Sequence, residues 1–144
     1  MPCLELLDRQ RKKRVDLLSF RAFAQLAITK VTGLIKPNAL PNEINVVFVS
    51  DARIAAIHCD FMSAQGPTDV ITFQHGEIVI SVETAERQAK TFATSFSHEL
   101  RLYFVHALLH LAGFDDLTEE GSKKMADGQE QIVAEIEAEM KKSS

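Results

Sequence analysis

The 144-residue chain has no tryptophan, one tyrosine, two cysteines and four prolines. Its cysteines, Cys3 and Cys59, lack the spacing of a metal site. A disulfide between them is conceivable, but we expect a reduced, cytoplasmic protein. No apolar run approaches the roughly 20 residues that span a bilayer, and the first residues lack the layout of a signal peptide. These absences exclude a disulfide framework and predict no membrane partner.

The chain also lacks an excess of positive charge, since its formal net charge is −4. This balance argues against a protein that coats nucleic acid through a dominant basic surface. It leaves room for one local cluster near the N-terminus. That cluster consists of Arg9, Arg11, Lys12, Lys13 and Arg14. Either it is a solvated connecting segment, or it contacts phosphate.

The pattern of apolar residues predicts one α+β domain over residues 1–144, a length sufficient for one core. Helices are predicted over 17–35, 52–61, 82–93, 96–112 and 118–141, and strands over 44–49, 70–73 and 78–81. Because the strands lie close together and helices dominate both ends, we expect a small mixed β-sheet with helices packed on it. The helix over 96–112 is apolar almost all round, which predicts that it is buried at the centre.

This central helix carries the most informative motif of the chain, His-Ala-Leu-Leu-His-Leu-Ala-Gly-Phe-Asp-Asp at positions 106–116. Residues four apart share a helix face, so His106 and His110 can bind one metal ion. Gly113 is a typical helix stop, after which the returning chain can supply Asp116 as a third ligand. Two imidazoles and a carboxylate leave a position for water, which is typical of a catalytic site. We expect one Zn²⁺ per chain, although other divalent first-row metals fit the same ligands.

Two alternatives accompany this interpretation. A single buried histidine is usually a hydrogen-bonded core residue, but a pair at this spacing on an apolar helix is better explained by a shared metal. The spacing also equals that of the metzincin peptidases, His-Glu-x-x-His-x-x-Gly-x-x-His. In this chain Ala107 replaces the glutamate base of those peptidases, and Asp116 replaces their third histidine. A peptidase is therefore the alternative, weakened by the missing base.

Three motifs together resemble the YbeY family of bacterial endoribonucleases. Residues 106–116 resemble the family signature His-Gly-x-Leu-His-Leu-x-Gly-Tyr-Asp-His. The sequence Pro-Thr-Asp-Val-Ile-Thr-Phe at 67–73 resembles the family's Pro-Thr-Asp-Val-Leu-Ser-Phe, and Gly-Glu-Ile-Val-Ile-Ser at 76–81 resembles its Gly-Asp-Ile-Val-Ile-Ser. The resemblance covers residues 43–140.

The resemblance implies a metal-dependent, single-strand-specific endoribonuclease. Such an enzyme would act in 3′-end maturation of small-subunit (16S) ribosomal RNA and in ribosome quality control. The implied partners are single-stranded or ribosomal RNA and the ribosome or its proteins. His106 and His110 match metal ligands of the family, and Asp116 stands where the family has a third histidine. Thr68 and Asp69 are implied to lie near the substrate cleft, or else they shape the turn after Pro67.

Two catalytic roles depart from the family pattern. The family usually carries Tyr-Arg where this chain has Phe61-Met62, and methionine cannot hold phosphate. Arg53, earlier on the same predicted helix, is the candidate replacement. Without a glutamate base, proton acceptance falls to metal-activated hydroxide or to Asp115, which could equally cap a turn. A non-catalytic, ribosome-associated factor that keeps its metal for stability stays a further alternative.

Overall fold

A computed structural model describes residues 2–34, 39–62, 70–114 and 118–143, within which the chain forms four strands and five helices. The strands are β1 (Cys3–Asp8), β2 (Glu43–Val49), β3 (Val70–Thr72) and β4 (Glu77–Ser81). The helices are α1 (Leu17–Leu34), α2 (Asp51–Met62), α3 (Val82–Phe92), α4 (Phe96–Leu111) and α5 (Glu119–Ser143). In the described part of the chain, no helix is long and apolar enough to cross a membrane.

The strands form one mixed sheet in the order β1-β2-β4-β3. β1 and β4 run parallel to β2, and β3 pairs with β4 in the antiparallel direction. The predicted α+β class and the small mixed sheet are therefore confirmed. β1 was not predicted: it is a short edge strand with only two half-buried residues, Leu4 and Leu6, packed against the core. Its apolar signal is correspondingly weak.

Alternation along the strands gives the sheet two different apolar faces. Val46, Phe48 and Ile80 point into the main core, together with residues of α1, α3, α4 and α5. Val49 and Val79 point to the other face, where the side chains of α2 cover them. The sheet thus separates α2 from α4, the helix with the candidate metal ligands.

Helix α4 is the centre of the main core, as predicted. Its buried residues contact α1, α3, α5 and the β3–β4 hairpin. It begins at a capped turn in which the Ser95 hydroxyl accepts a hydrogen bond from His98 N at 3.0 Å. It ends in a Schellman motif, with Gly113 N donating to His110 O and Phe114 N donating to Leu109 O. Gly113 has φ +103°, so the predicted glycine stop is confirmed.

A polar junction joins α2 to α3 where β2 and β4 end. At the start of α2 the Ser50 hydroxyl accepts a hydrogen bond from Arg53 N. The Asp51 carboxylate accepts hydrogen bonds from Ser81 Oγ at 2.6 Å, from Thr84 Oγ1 at 2.8 Å and from the Arg87 guanidinium. Because β2 and β4 are adjacent and parallel, their following helices start side by side, and Asp51 ties the two starts together.

Candidate metal centre

His106 and His110 face each other on the C-terminal half of α4. Their Nε2 atoms lie 3.1 Å apart, and their rings meet edge to face with centroids 4.6 Å apart. Both side chains are half-buried, while the intervening Ala107, Leu108 and Leu109 are buried. The helix therefore exposes these two nitrogen-bearing rings in its C-terminal half, where the other side chains are apolar and buried.

Gln129 of α5 orients the first of these rings. Its Oε1 lies 2.9 Å from His106 Nδ1, which must donate because a carbonyl oxygen only accepts. In the neutral imidazole the lone pair is then on Nε2, the atom that faces His110. Gln129 was not predicted as part of the site, although the sequence contains a signal for it. Gln129 lies four positions from Met125 and four from Val133, which are both buried residues of α5. It is therefore a polar residue on the buried face of that helix.

The geometry of the histidine pair fits a zinc ion. Zn–N bonds are about 2.0–2.1 Å, so two tetrahedral ligands would have nitrogens about 3.3 Å apart. The observed 3.1 Å between the Nε2 atoms is close to this value. A hydrogen bond from the second ring nitrogen to a protein acceptor, as His106 makes to Gln129, is the usual support for a metal-binding histidine. The donor set accordingly suits the metal that the sequence predicts.

Asp116, the third predicted metal ligand, and Asp115, the predicted proton acceptor, follow α4 in the sequence. Asp115 and Asp116 lie outside the described residues, so their roles stay predictions. Among the residues that are described, no group of three His, Cys, Asp or Glu side chains could hold a metal ion. In the sequence, the two aspartates directly follow Gly113 and Phe114, the residues of the motif that ends α4.

The remaining predicted site residues are Thr68, Asp69 and Arg53. Thr68 and Asp69 also lie outside the described residues, immediately before β3, which packs against α4. Arg53 is exposed near the start of α2, on the face of the sheet opposite to α4. Among the residues that the structure describes, no contact brings Arg53 to the histidine pair, and its role in holding phosphate stays a prediction.

His98, two turns before His106 on the same helix, has a different environment. Its Nδ1 lies 3.0 Å from Glu137 Oε1, and Arg101 binds the other oxygen of that carboxylate at 2.9 Å. These contacts link α4 to α5. Eight residues, about 12 Å of helix rise, separate His98 from His106.

Comparison with known proteins identifies the family of this chain. A family model described as endoribonuclease YbeY matches residues 5–137. The chain belongs to the endoribonuclease YbeY family. A relative from Heliobacterium modesticaldum, named Endoribonuclease YbeY, is 33% identical over 112 residues, which cover 63% of this chain and 68% of the relative. One of the same name from Bacillus cereus is 34% identical over 110 residues, covering 63% and 70%.

A solved structure shares the fold. The solution structure of a Thermotoga maritima protein superposes with a TM-score of 0.69 at 27% identity, covering 97% of this chain and 93% of that one. The family assignment makes this chain an endoribonuclease, a hydrolase that acts on RNA. The peptidase and the non-catalytic factor are therefore not favoured.

Proposed function

We propose that the chain is a zinc-dependent, single-strand-specific endoribonuclease that processes the 3′ end of small-subunit ribosomal RNA. The observation that carries the metal dependence is the pair of Nε2 atoms 3.1 Å apart, with Gln129 holding one ring in place. Family membership supports the RNA substrate. The choice of ribosomal RNA, the contact with the ribosome and the cytoplasmic location rest on the sequence resemblance.

In this proposal His106 and His110 hold the metal, and Asp116 completes the set. The bound zinc ion would supply charge neutralisation at the scissile phosphate and a lower pKa for the attacking water. The apolar surroundings of α4 exclude bulk water from one side of the site, which strengthens electrostatic interactions there. Gln129 keeps His106 in the tautomer whose lone pair faces His110. Asp115 is the proposed proton acceptor on the chain itself.

The absence of a glutamate base separates this site from a peptidase. Ala107 occupies the position after the first histidine, and its methyl group is fully buried in the core. It can neither accept a proton nor be reached by a peptide substrate. Phosphoryl transfer depends mainly on positioning and charge neutralisation, so it tolerates the loss of that base better than peptide hydrolysis does.

The test measures metal content and RNA cleavage in parallel. Protein purified without chelators is analysed for zinc by elemental analysis, as wild type and as the variants His110→Ala, Asp116→Ala and His98→Gln. We expect about one zinc per chain in the wild type and in His98→Gln, and loss of zinc in the other two. His98→Gln is the matched control, because it removes a histidine from the same helix outside the proposed site.

Cleavage of a single-stranded RNA containing the 3′ end of the small-subunit ribosomal RNA should follow the zinc content. EDTA should abolish it, and added zinc should restore it. Wild-type protein that contains no zinc, or that cuts RNA equally well in EDTA, would refute the proposed function. Loss of zinc in His110→Ala alone would instead remove Asp116 from the ligand set.

A further inference from the structure

The basic loop, residues 9–14 between β1 and α1, is an exposed cluster of cations. Arg9, Arg11, Lys12 and Arg14 are all exposed. In the described part of the chain, none of the four forms an ion pair with a carboxylate. Residues 8–16 hold five cations and two carboxylates, a net charge of +3, in a chain whose net charge is −4. Positive charge is therefore concentrated here against the overall balance.

Gln10 folds this loop into a fixed turn. Its side-chain amide donates to Asp8 Oδ1 at 2.7 Å and to the Lys13 carbonyl at 2.8 Å. Its Oε1 accepts from Lys12 N at 2.7 Å and from Lys13 N at 2.9 Å. Four hydrogen bonds from one side chain hold the neighbouring cations together despite their mutual repulsion. The cluster is thus preorganised, which lowers the entropic cost of binding a ligand.

Lys13 differs from its neighbours because it fastens the loop to the body of the protein. Its Nζ lies 3.1 Å from Glu86 Oε2 of α3 and 5.3 Å from the centroid of the Phe96 ring. Val15 is buried in the main core just after the loop. One cation therefore anchors the loop, and the other four are left for a ligand.

The anchor places Lys13 of the loop at the first residue of α4, whereas the histidine pair lies on the C-terminal half of the same helix. Phe96 is the first residue of α4, and His106 is ten positions further along, which corresponds to about 15 Å of helix rise. A flexible polyanion bound at one place could reach the other. A single small anion could not occupy both.

We propose that the basic loop is a second, remote binding surface for the phosphate backbone of the RNA substrate. It would hold the strand a few nucleotides from the cleavage site. Exposed arginines and lysines are the usual contacts to nucleic-acid phosphates, and they select charge rather than sequence. The identity of the ligand as RNA rests on the proposed function, whereas the exposure and charge of the loop do not.

The test measures RNA binding without cleavage. All proteins carry His110→Ala, and binding to a single strand of about 16 nucleotides is measured over a range of salt concentrations. The double variant Arg11→Gln with Lys12→Gln removes two cations from the loop. The matched control, Lys123→Gln with Lys142→Gln, removes two exposed lysines that are scattered on α5. Thermal unfolding checks that all four substitutions leave the fold intact.

We expect the RNA affinity of the loop variant at ~0.1 M salt to fall about fivefold for each cation that no longer contacts a phosphate. The slope of log binding constant against log salt concentration should become less steep by about 0.7 for each such cation. The control should bind as well as the parent protein. Equal weakening in both variants, or no weakening in the loop variant, would overturn the inference. So would polyglutamate of matched length competing as well as RNA, because the loop would then select any polyanion. Failure of the proposed function shows separately, as absence of cleavage by the protein with an intact His110.

Discussion

Gln129 Oε1 accepts a hydrogen bond from His106 Nδ1 across 2.9 Å, joining α5 to the candidate metal ligand on α4. The contact connects two distant parts of the sequence, and its effect is chemical as well as structural. It places the His106 proton on Nδ1 and the lone pair that a metal would bind on Nε2. A candidate site whose histidines both come from α4 thus depends on α5 for the orientation of one of them.

Replacing Gln129 should therefore weaken metal binding without removing a ligand. For Gln129→Leu we expect zinc affinity to fall by about 10–100-fold, the usual effect of removing a hydrogen bond that orients a metal-binding histidine. A competition titration with a chromogenic chelator measures this. The control is Gln131→Leu, since Gln131 is exposed on the same helix and bonds Glu135 one turn away. Equal affinities of wild type and Gln129→Leu would show that the contact does not orient the ring.

The Asp51 junction predicts a loss of stability in acid. Burial opposes the charge of this carboxylate, but the hydrogen bonds from Arg87, Ser81 and Thr84 outweigh it and lower the pKa of Asp51. A group with a lowered pKa in the folded state stabilises fully above its unfolded pKa, about 3.9 for aspartate. The contribution is lost as the pH falls through the lower folded pKa.

Asp51→Asn should remove this contribution. We expect the free energy of unfolding near neutral pH to fall by roughly 1.5–3 kcal/mol, the range for hydrogen bonds to a charged group. The gap between wild type and variant should close as the pH falls below about 3.9. Urea titrations at several pH values measure both effects. Asp127→Asn on the exposed surface of α5 is the control, and a gap that stays constant in acid would contradict the prediction.

The sequence predicted what depends on periodicity and on local stop signals. The apolar pattern of residues 96–112 and the stop at Gly113 predict the central helix α4, and both can be recognised without knowing the fold. Strand β1 escaped prediction because its stability comes from pairing with β2, forty residues away, and not from its own apolar content. Pairing between distant segments leaves little trace in a local pattern.

The histidine pair was predictable because both members lie on one helix, where spacing translates into distance. Gln129 and Arg53 show the limit of this reasoning. Proximity along a predicted helix placed Arg53 near the site, yet the sheet lies between α2 and α4. Gln129 is 23 positions from His106 and becomes its neighbour only through the packing of α5 on α4. Both depend on which face of the sheet each helix covers, which spacing does not encode.

Gly76 predicts a steric requirement at the turn between β3 and β4. Its φ is +117°, and a Cβ atom there would lie 2.1 Å from the Glu43 carbonyl oxygen, a backbone atom that cannot move aside easily. We expect Gly76→Ala to lower the free energy of unfolding by roughly 2–4 kcal/mol. The control is Gly128→Ala in α5, where a Cβ meets nothing within 4 Å. That change should raise stability by about 0.5–1 kcal/mol. Denaturant unfolding of the two variants should shift in opposite directions.

Ala107 provides the last prediction, which separates the ribonuclease from the peptidase interpretation. If only the missing base prevented peptidase activity, Ala107→Glu would create a peptidase. Ala107 is instead fully buried between the histidines, so a glutamate there would place an unpaired charge in the core.

We expect Ala107→Glu to lower the free energy of unfolding by at least about 3 kcal/mol. It should gain no activity on an unstructured peptide. Ala107→Gly, which removes a buried methyl group and lowers helix propensity but adds no charge, should cost roughly 2 kcal/mol. A stable Ala107→Glu protein that cleaves peptide in a zinc-dependent manner would show that this position faces the site, and that the core packing around α4 does not exclude a peptidase.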